Sequence, residues 1–242
     1  MKLLFDLHTH TVASGHAYGT LKENVEEAAA KGLKILGTSD HAISMPGTTN
    51  PIFFTNYRAI PEEIQGVKIL KGIEANVMDY QGTIDVEEKI YPALDYVIAS
   101  LHVPCIKSGS KEENTSALIG AMKNPYVKII GHPDDNRYPL DYDRLTDAAK
   151  EQEVVLELNN SSFGPASGRQ NAWENDLVLL EYCKKKEVPI ILGSDTHIFC
   201  DVGRFEGCLK ILEYCDFPKE LVINRKKKGL LKVLNRVPEW LQ

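Results

Sequence analysis

Seven short apolar runs, separated by helical patterns, constrain the fold of this chain more than any other feature of its sequence. The runs span residues 3–7, 34–38, 67–73, 96–100, 127–130, 154–158 and 190–192. Strands that alternate with helices indicate βαβ units and a parallel sheet. Seven such strands can close into a barrel or lie in an open, doubly wound sheet. Neither glycine-rich phosphate-loop pattern follows any of them, which removes the usual phosphate-binding reason for an open sheet.

Helical segments are identified by their caps and apolar faces. The clearest begins at Thr20, because Thr20 and Glu23 form a capping-box pattern, and Gly32 marks its end. Weaker candidates span residues 116–123, 144–152 and 171–186, with further helix after Gly203 and after Pro218. No linker or shift in composition interrupts the 242 residues, so we expect a single α/β domain over residues 1–242.

Charge and cysteine content limit the classes of partner. The chain carries a formal net charge of -6, so it has no general attraction to nucleic acid or anionic membranes, and an anionic ligand needs a local positive site. Five cysteines without a C-x-x-C spacing favour reduced thiols, and no apolar stretch approaches the length of a bilayer span. We therefore predict a cytoplasmic protein that binds neither nucleic acid nor membrane.

All seven histidines lie at, or just beyond, the C-terminal end of a predicted strand. They are His8, His10, His16, His41, His102, His132 and His197. The first two are two residues apart on a strand, so they share a face and can hold one divalent ion, although the pair alone also fits ordinary, partly buried histidines. Active sites of closed parallel α/β barrels lie at this end of the strands. The clustering of all seven therefore favours a metal site.

Two carboxylates join this set. Glu74 ends the apolar run VKILKGIE, and Asp195 lies two residues before His197. A set of imidazoles with two carboxylates suits Zn²⁺, Mn²⁺ or Fe²⁺ better than Ca²⁺ or Mg²⁺. Nine ligands are too many for one ion; with Glu74 as a bridge, they fill two or three sites.

Several neighbouring residues are candidates for supporting roles. Asp6 lies on the face of the first two histidines and Asp40 precedes His41, so either could accept the free N–H of a ligating imidazole, although Asp40 also fits an ordinary loop acid. Arg169 is the best candidate to hold a phosphate in a fork geometry; the alternative is an exposed arginine on a mobile loop. Residues 159–161 line the pocket or satisfy loop backbone.

The chain resembles the PHP (polymerase and histidinol phosphatase) superfamily over its whole length, and most closely its YcdX-like phosphatases. The motifs that carry the resemblance are DLHTHTVASGHAY, TSDHA, GIEAN, ASLH, IIGHP, LELNNSS and GSDTHIF. The resemblance implies a distorted TIM-like (β/α)7 barrel, which agrees with the seven predicted strands.

The resemblance also implies three divalent ions per chain, with zinc favoured and manganese or iron as alternatives. It assigns His8, His10, Glu74 and Asp195 to one ion, Glu74, His102 and His132 to a second, and His16, His41 and His197 to the third.

From these features we predict a metal-dependent phosphatase that hydrolyses small phosphomonoesters through a metal-bridging hydroxide, with Glu74, Asp195 and Arg169 as catalytic residues. One alternative is a PHP-type phosphodiesterase or nuclease, for which the sequence shows no basic groove. Another is an amidohydrolase, a class that resembles the chain in its first H-x-H but uses a bridging lysine in place of Glu74. A non-catalytic metal-binding module would not explain three ions. The sequence leaves open the substrate and whether the chain forms a homo-oligomer.

Overall fold

The computed structural model describes residues 1–165 and 167–241, and its centre is a mainly parallel β-sheet. The strands are β1 (Phe5–Asp6), β2 (Ile35–Thr38), β3 (Glu63–Ile64), β4 (Val67–Asn76), β5 (Tyr96–Ser100), β6 (Val127–Ile130), β7 (Val155–Asn159) and β8 (Ile190–Gly193). Their order is β1-β2-β4-β5-β6-β7-β8, with every neighbouring pair parallel. The seven predicted strands are confirmed, and the short antiparallel partner β3 is an addition.

The two edge strands, β1 and β8, meet at their C-terminal ends. Thr9 and Thr196 form a parallel bridge there. The amide of His10 donates to the carbonyl of Thr196 at 3.0 Å, and the amide of Asp195 donates to the carbonyl of His8 at 2.8 Å. The sheet is therefore nearly closed into a barrel, as predicted, rather than open.

Asn224 fills the gap between the same two strands four residues before this bridge, at Phe5 and Leu192. Its amide nitrogen donates to the carbonyls of Phe5, at 3.0 Å, and Leu192, at 2.9 Å, and its amide oxygen accepts from the Leu192 amide at 2.8 Å. The side chain thus provides the hydrogen bonds that a neighbouring strand would provide. This explains why the segment after Pro218 forms short 3-10 turns and not the helix predicted there.

The helices are α1 (Leu21–Ala30), α2 (Pro51–Thr55), α3 (Lys111–Met122), α4 (Tyr142–Glu151), α5 (Ala172–Lys186) and α6 (Glu206–Tyr214). The capping box predicted at Thr20 is present in α1. Helix α3 begins five residues before its predicted start because a second capping box, between Ser110 and Glu113, caps it. Within the described residues, no helix is both long and apolar enough to cross a bilayer.

The barrel interior changes from apolar to polar towards the C-terminal ends of the strands. Side chains two residues apart on a strand point into the barrel in successive layers. Ile98 of β5 and Val155 of β7 belong to the apolar cluster that fills the barrel, whereas the next inward positions are Ser100 and Glu157. The apolar layer therefore forms a packed floor beneath the predicted metal ligands.

Candidate metal centre

Glu74 lies at the centre of the histidine cluster. It is an inward side chain of β4 and is completely buried. The Ser100 hydroxyl donates to its Oε1 at 2.7 Å. Its carboxylate oxygens lie 2.8–3.4 Å from ring nitrogens of His8, His10, His41, His102 and His132. This carboxylate therefore contacts imidazoles that the resemblance assigns to each of the three ions.

Asp195 is a second point where the predicted ligands meet. Its Oδ1 lies 3.2 Å from Nε2 of His10, and 3.6 Å from both Nε2 of His8 and Nδ1 of His197. Its Oδ2 accepts from Nη2 of Arg169 at 2.7 Å. The backbone of Asp195 has a φ of +51°, a left-handed conformation that is uncommon outside glycine and occurs often at functional sites.

His16 completes the set from the loop that follows β1. It is exposed, and its ring lies 5.0 Å from that of His41 and 4.8 Å from that of His197. The ring of His10 lies 4.4 Å from each of the same two imidazoles. All nine predicted ligands are thus in one cluster at the C-terminal ends of the strands.

The donor atoms of this cluster fit divalent ions. Among the described residues, several buried atoms that point into it have no hydrogen-bond partner of acceptable geometry: Nε2 of His8, Nε2 of His10, Nδ1 of His41 and Oε2 of Glu74. Unpaired buried polar atoms are costly, whereas a divalent ion binds imidazole nitrogens and carboxylate oxygens directly.

Three groups of donors have ligand atoms within 4.8 Å of one another. They are His10, His41 and His197; His8, His10 and Glu74; and His41, Glu74 and His102. The groups share members, and they differ from the three ligand sets that the resemblance assigns to the three ions. The assignment of each ligand to one ion therefore stays a prediction.

Several imidazoles of the cluster are neutral near pH 7. Burial lowers the pKa of His10 well below its usual value, and the neighbouring His197 and His41 lower it further. Burial is also the main cause that lowers the pKa of His16 and of His102. Neutral imidazole is the form that binds a metal ion.

The two predicted carboxylate ligands are ionised. Burial alone would raise the pKa of Glu74, but its electrostatic interactions with His8 and His102 hold that pKa well below its usual value. The pKa of Asp195 is likewise well below its usual value, because His8 and Arg169 outweigh burial. The centre therefore offers anionic oxygens beside the neutral imidazoles of His10, His16 and His102.

Glu157 orients His8 and was not singled out from the sequence. Its Oε1 lies 2.7 Å from Nδ1 of His8, and its Oε2 accepts from the backbone amide of His132 at 2.8 Å. Burial lowers the pKa of His8, but the charges of Glu157 and the two ligand carboxylates raise it well above its usual value. A β carbon at Gly193 would overlap Oε1, so this glycine leaves room for the acid. The sequence offered one indication of this role: Glu157 is a single acid at an inward position of an otherwise apolar strand.

Ser14 orients His10, and Asp40 acts through it. Nδ1 of His10 lies 3.0 Å from the Ser14 hydroxyl, which in turn donates to Oδ1 of Asp40 at 2.7 Å. Asp40 also accepts from the amide and the hydroxyl of Thr11, at 2.7 and 2.9 Å. The prediction that Asp40 contacts an imidazole directly is therefore wrong, because a serine lies between them.

Asn76 orients His102 at the end of β4. Its amide oxygen lies 2.7 Å from Nδ1 of His102, and its amide nitrogen donates to Asp85 at 2.7 Å. Because an amide oxygen only accepts, the hydrogen of His102 is on Nδ1 and the lone pair is on Nε2, 3.2 Å from Glu74. The tautomer that binds a metal at Nε2 is therefore favoured.

Among the described residues, Asp6 does not contact an imidazole. The prediction that it accepts the free N–H of a ligating histidine is therefore also wrong. Its carboxylate accepts from the backbone amides of His8 at 3.3 Å, Ser194 at 3.2 Å and Gly203 at 2.9 Å. Strand β1 ends at Asp6, so the regular alternation of faces on which the prediction rested does not continue to His8. Asp6 instead holds the loop after β8 against β1.

Arg169 is anchored beside the centre. Its Nη1 donates to Asn159 at 3.1 Å and Ser162 at 3.2 Å, while its Nη2 donates to Asp195 at 2.7 Å. Its side chain is only 14% exposed, so the alternative of a solvent-exposed arginine does not apply. Among the described residues, its Nε–H and one Nη2–H have no acceptor. The guanidinium can therefore offer two donors to a ligand.

Two cavities flank the centre. One has a volume of about 390 Å³ and is lined by polar and apolar side chains, the polar ones being His16, His102, His132, Asp135, Arg137 and Arg169. The other has a volume of about 470 Å³ and adjoins Asp195 and His197. Of the polar residues at the end of β7 and just beyond it, Asn159 holds Arg169, and Asn160 accepts from the amides of Gly207 and Cys208. Volumes of this size are typical of sites for small molecules.

The fold and the site define a parallel α/β-barrel protein with a histidine-rich centre at the C-terminal ends of its strands. The sequence model of the PHP domain matches residues 6–161, and the chain belongs to the PHP family. Among its relatives is a "Probable phosphatase" of Clostridium novyi, 47% identical, with the match covering 97% of this chain and 95% of the relative. Another, from Caldanaerobacter subterraneus, is 45% identical over 100% of this chain and 92% of the relative.

A solved structure shows the same fold at low sequence identity. It is the histidinol phosphate phosphatase of Lactococcus lactis, determined in complex with zinc, L-histidinol and phosphate. The match has a TM-score of 0.61 and 19% identity, and covers 89% of this chain and 94% of that one.

Proposed function

We propose that this protein is a phosphatase that hydrolyses small phosphomonoesters at a centre of three divalent metal ions. The observation that carries the proposal is the clustering of nine candidate metal ligands, with unpaired buried donor atoms, beside a cavity that three of them and Arg169 line. The relatives named phosphatases match nearly the full length of the chain, and the Lactococcus lactis protein was determined with zinc and phosphate, which supports this activity.

The ligand set accounts for the number of ions. Nine protein ligands provide three or four to each of three ions when Glu74 is shared. Zinc is our first choice because imidazole nitrogen dominates the set, with manganese and iron as alternatives. When bound, such ions lower the pKa of water towards neutrality and offset the charge of phosphoryl oxygens.

The protein's own groups bind the phosphate and hold the ligands in place. Arg169 directs two free donors to the phosphoryl oxygens, while its bond to Asp195 keeps it aligned with the centre. Glu157 fixes the ring of His8, Ser14 that of His10 and Asn76 that of His102, so that in each ring Nε2 faces the centre. The ligands are thus positioned before a substrate binds.

The preference for phosphomonoesters over phosphodiesters tests this function. A phosphomonoester dianion has three terminal oxygens, enough to engage both the metal ions and Arg169, whereas a diester has one fewer and carries less charge. We expect the metal-loaded protein to hydrolyse p-nitrophenyl phosphate with a kcat/KM about 10- to 100-fold above that for its bis-ester, the effect of one lost charge-assisted contact. If it degrades single-stranded oligonucleotides faster than any monoester, it is instead a nuclease of the PHP type.

Arg169→Ala tests the role of the guanidinium. Removal of one charge-assisted contact to the phosphate is expected to cost about 2–3 kcal/mol of transition-state stabilisation, measured from kcat/KM on p-nitrophenyl phosphate. Because Arg169 also bonds Asp195, the metal content of the same sample must be measured, and we expect it to be unchanged. Ser162→Ala, which removes only one anchor of the arginine, is the control and should have a smaller effect. Wild-type kcat/KM in Arg169→Ala would show that the metals alone hold the phosphate.

A further inference from the structure

A second arginine, Arg137, lies at the mouth of the 390 Å³ cavity. Its Nε and Nη2 donate to Oδ2 of Asp135 at 2.7 and 2.6 Å. Among the described residues, Nη1 has no acceptor. The Arg137 side chain is 38% exposed, compared with 14% for Arg169 in the same cavity. Arg169 therefore lies deeper, next to the metal ligands, and Arg137 lies nearer to solvent.

The rest of the cavity wall is apolar. It comprises Met45 and Pro46 from the loop after β2, and Leu101, Val103 and Pro104 from the loop after β5. Such a wall favours an apolar group and offers no hydrogen bonds from side chains. The cavity thus combines a buried arginine beside the metal-ligand candidates, an apolar wall and a second, more exposed guanidinium.

The segment that carries Arg137 is fixed to both neighbouring loops. The Tyr138 hydroxyl donates to the carbonyl of Ile106 at 2.6 Å, and the Asn136 amide donates to the carbonyl of Gln170 at 2.9 Å. The Gln170 amide donates to Asp135 at 3.2 Å. These bonds hold Arg137 in place without a ligand, so little ordering entropy is lost when a ligand binds.

We propose that Arg137 selects phosphomonoesters whose leaving group has an apolar body and ends in a carboxylate. The inference rests on the proposed phosphatase function and names the substrate class of the same site. Arg137 lines the cavity proposed to bind the phosphate, its Nη1 has no acceptor among the described residues, and Asp135 holds its Nε and Nη2. The Asp135 charge offsets that of Arg137, so a singly charged carboxylate is a better match than a second, doubly charged phosphate.

A pair of isosteric esters tests the proposal. We would compare kcat/KM for 4-carboxyphenyl phosphate and 4-carbamoylphenyl phosphate, which differ in the charge at the far end of the ring. We expect the metal-loaded wild type to prefer the carboxylate by about tenfold, as for one partly exposed charge-assisted contact. Arg137→Ala should reduce this preference to about one, mainly through the carboxylate ester, and Arg137→Lys should restore part of it.

Arg204→Ala is the matched control. Arg204 also pairs with an aspartate, Asp201, at 3.0 Å, but it lines the second cavity. The preference should persist in this variant. A wild-type preference near one, a preference that survives Arg137→Ala, or one lost in Arg204→Ala instead would each overturn the inference. If the wild type hydrolyses p-nitrophenyl phosphate but not these two esters, the inference alone fails; if it hydrolyses none of the three, the proposed function fails as well.

Discussion

Glu74→Gln is expected to abolish phosphatase activity and to release more than one metal ion per chain. The carboxylate contacts five imidazoles, and the substitution keeps its size while it removes the negative charge and one acceptor oxygen. Loss of a residue that merely orients a metal ligand costs about 10- to 100-fold. Loss of a shared ligand should cost more than about 10³-fold in kcat/KM. Steady-state kinetics and elemental analysis of the same preparation would measure both effects.

Two variants serve as controls for Glu74→Gln. Ser100→Ala removes the hydroxyl that donates to Glu74 but keeps the charge, so it should retain its metals and lose about 10- to 100-fold in rate. His16→Ala removes an exposed candidate ligand at the edge of the cluster and should cost one ion only. Equal metal loss in Glu74→Gln and His16→Ala would contradict the bridging role of Glu74.

The strands were predictable because parallel βαβ units leave a local pattern of apolar runs and helical faces. The pattern could not predict features that depend on contacts between residues distant in sequence. The short strand β3 exists only through its pairing with β4. The segment after Pro218 is not helical because Asn224 pairs with two strands that lie 32 and more than 200 residues earlier in the chain.

The clustering of the candidate ligands was predictable for a different reason: residues at the ends of parallel strands must converge, whatever the details of packing. Their orienting partners were not. Glu157 meets His8 across 149 residues, and Asn76 meets His102 across 26. The two acids chosen by proximity in sequence, Asp6 and Asp40, instead bind backbone amides and a serine.

Removal of the metals is expected to abolish hydrolysis and to lower the thermal stability of the protein. Without ions, the buried ring nitrogens of His8, His10 and His41 and Oε2 of Glu74 have no hydrogen bond of acceptable geometry. Each such atom costs about 1–3 kcal/mol. For a chain of this size, 1 kcal/mol corresponds to roughly 2–4 °C, so we expect treatment with a chelator to lower the Tm by at least about 8 °C.

Addition of metal back to the stripped protein should restore both properties together, because the same donors serve binding and stability. We expect the Tm and the rate on p-nitrophenyl phosphate to rise with added zinc or manganese until elemental analysis gives three ions per chain. In His16→Ala the same titration should end at two, since one site loses a ligand while the buried donors around Glu74 remain. A plateau at one ion in the wild type, unchanged by further metal, would contradict the three-ion centre. A stripped protein with unchanged Tm would show that other groups satisfy the buried donors, and the fit between this cluster and metal ions would lose its main support.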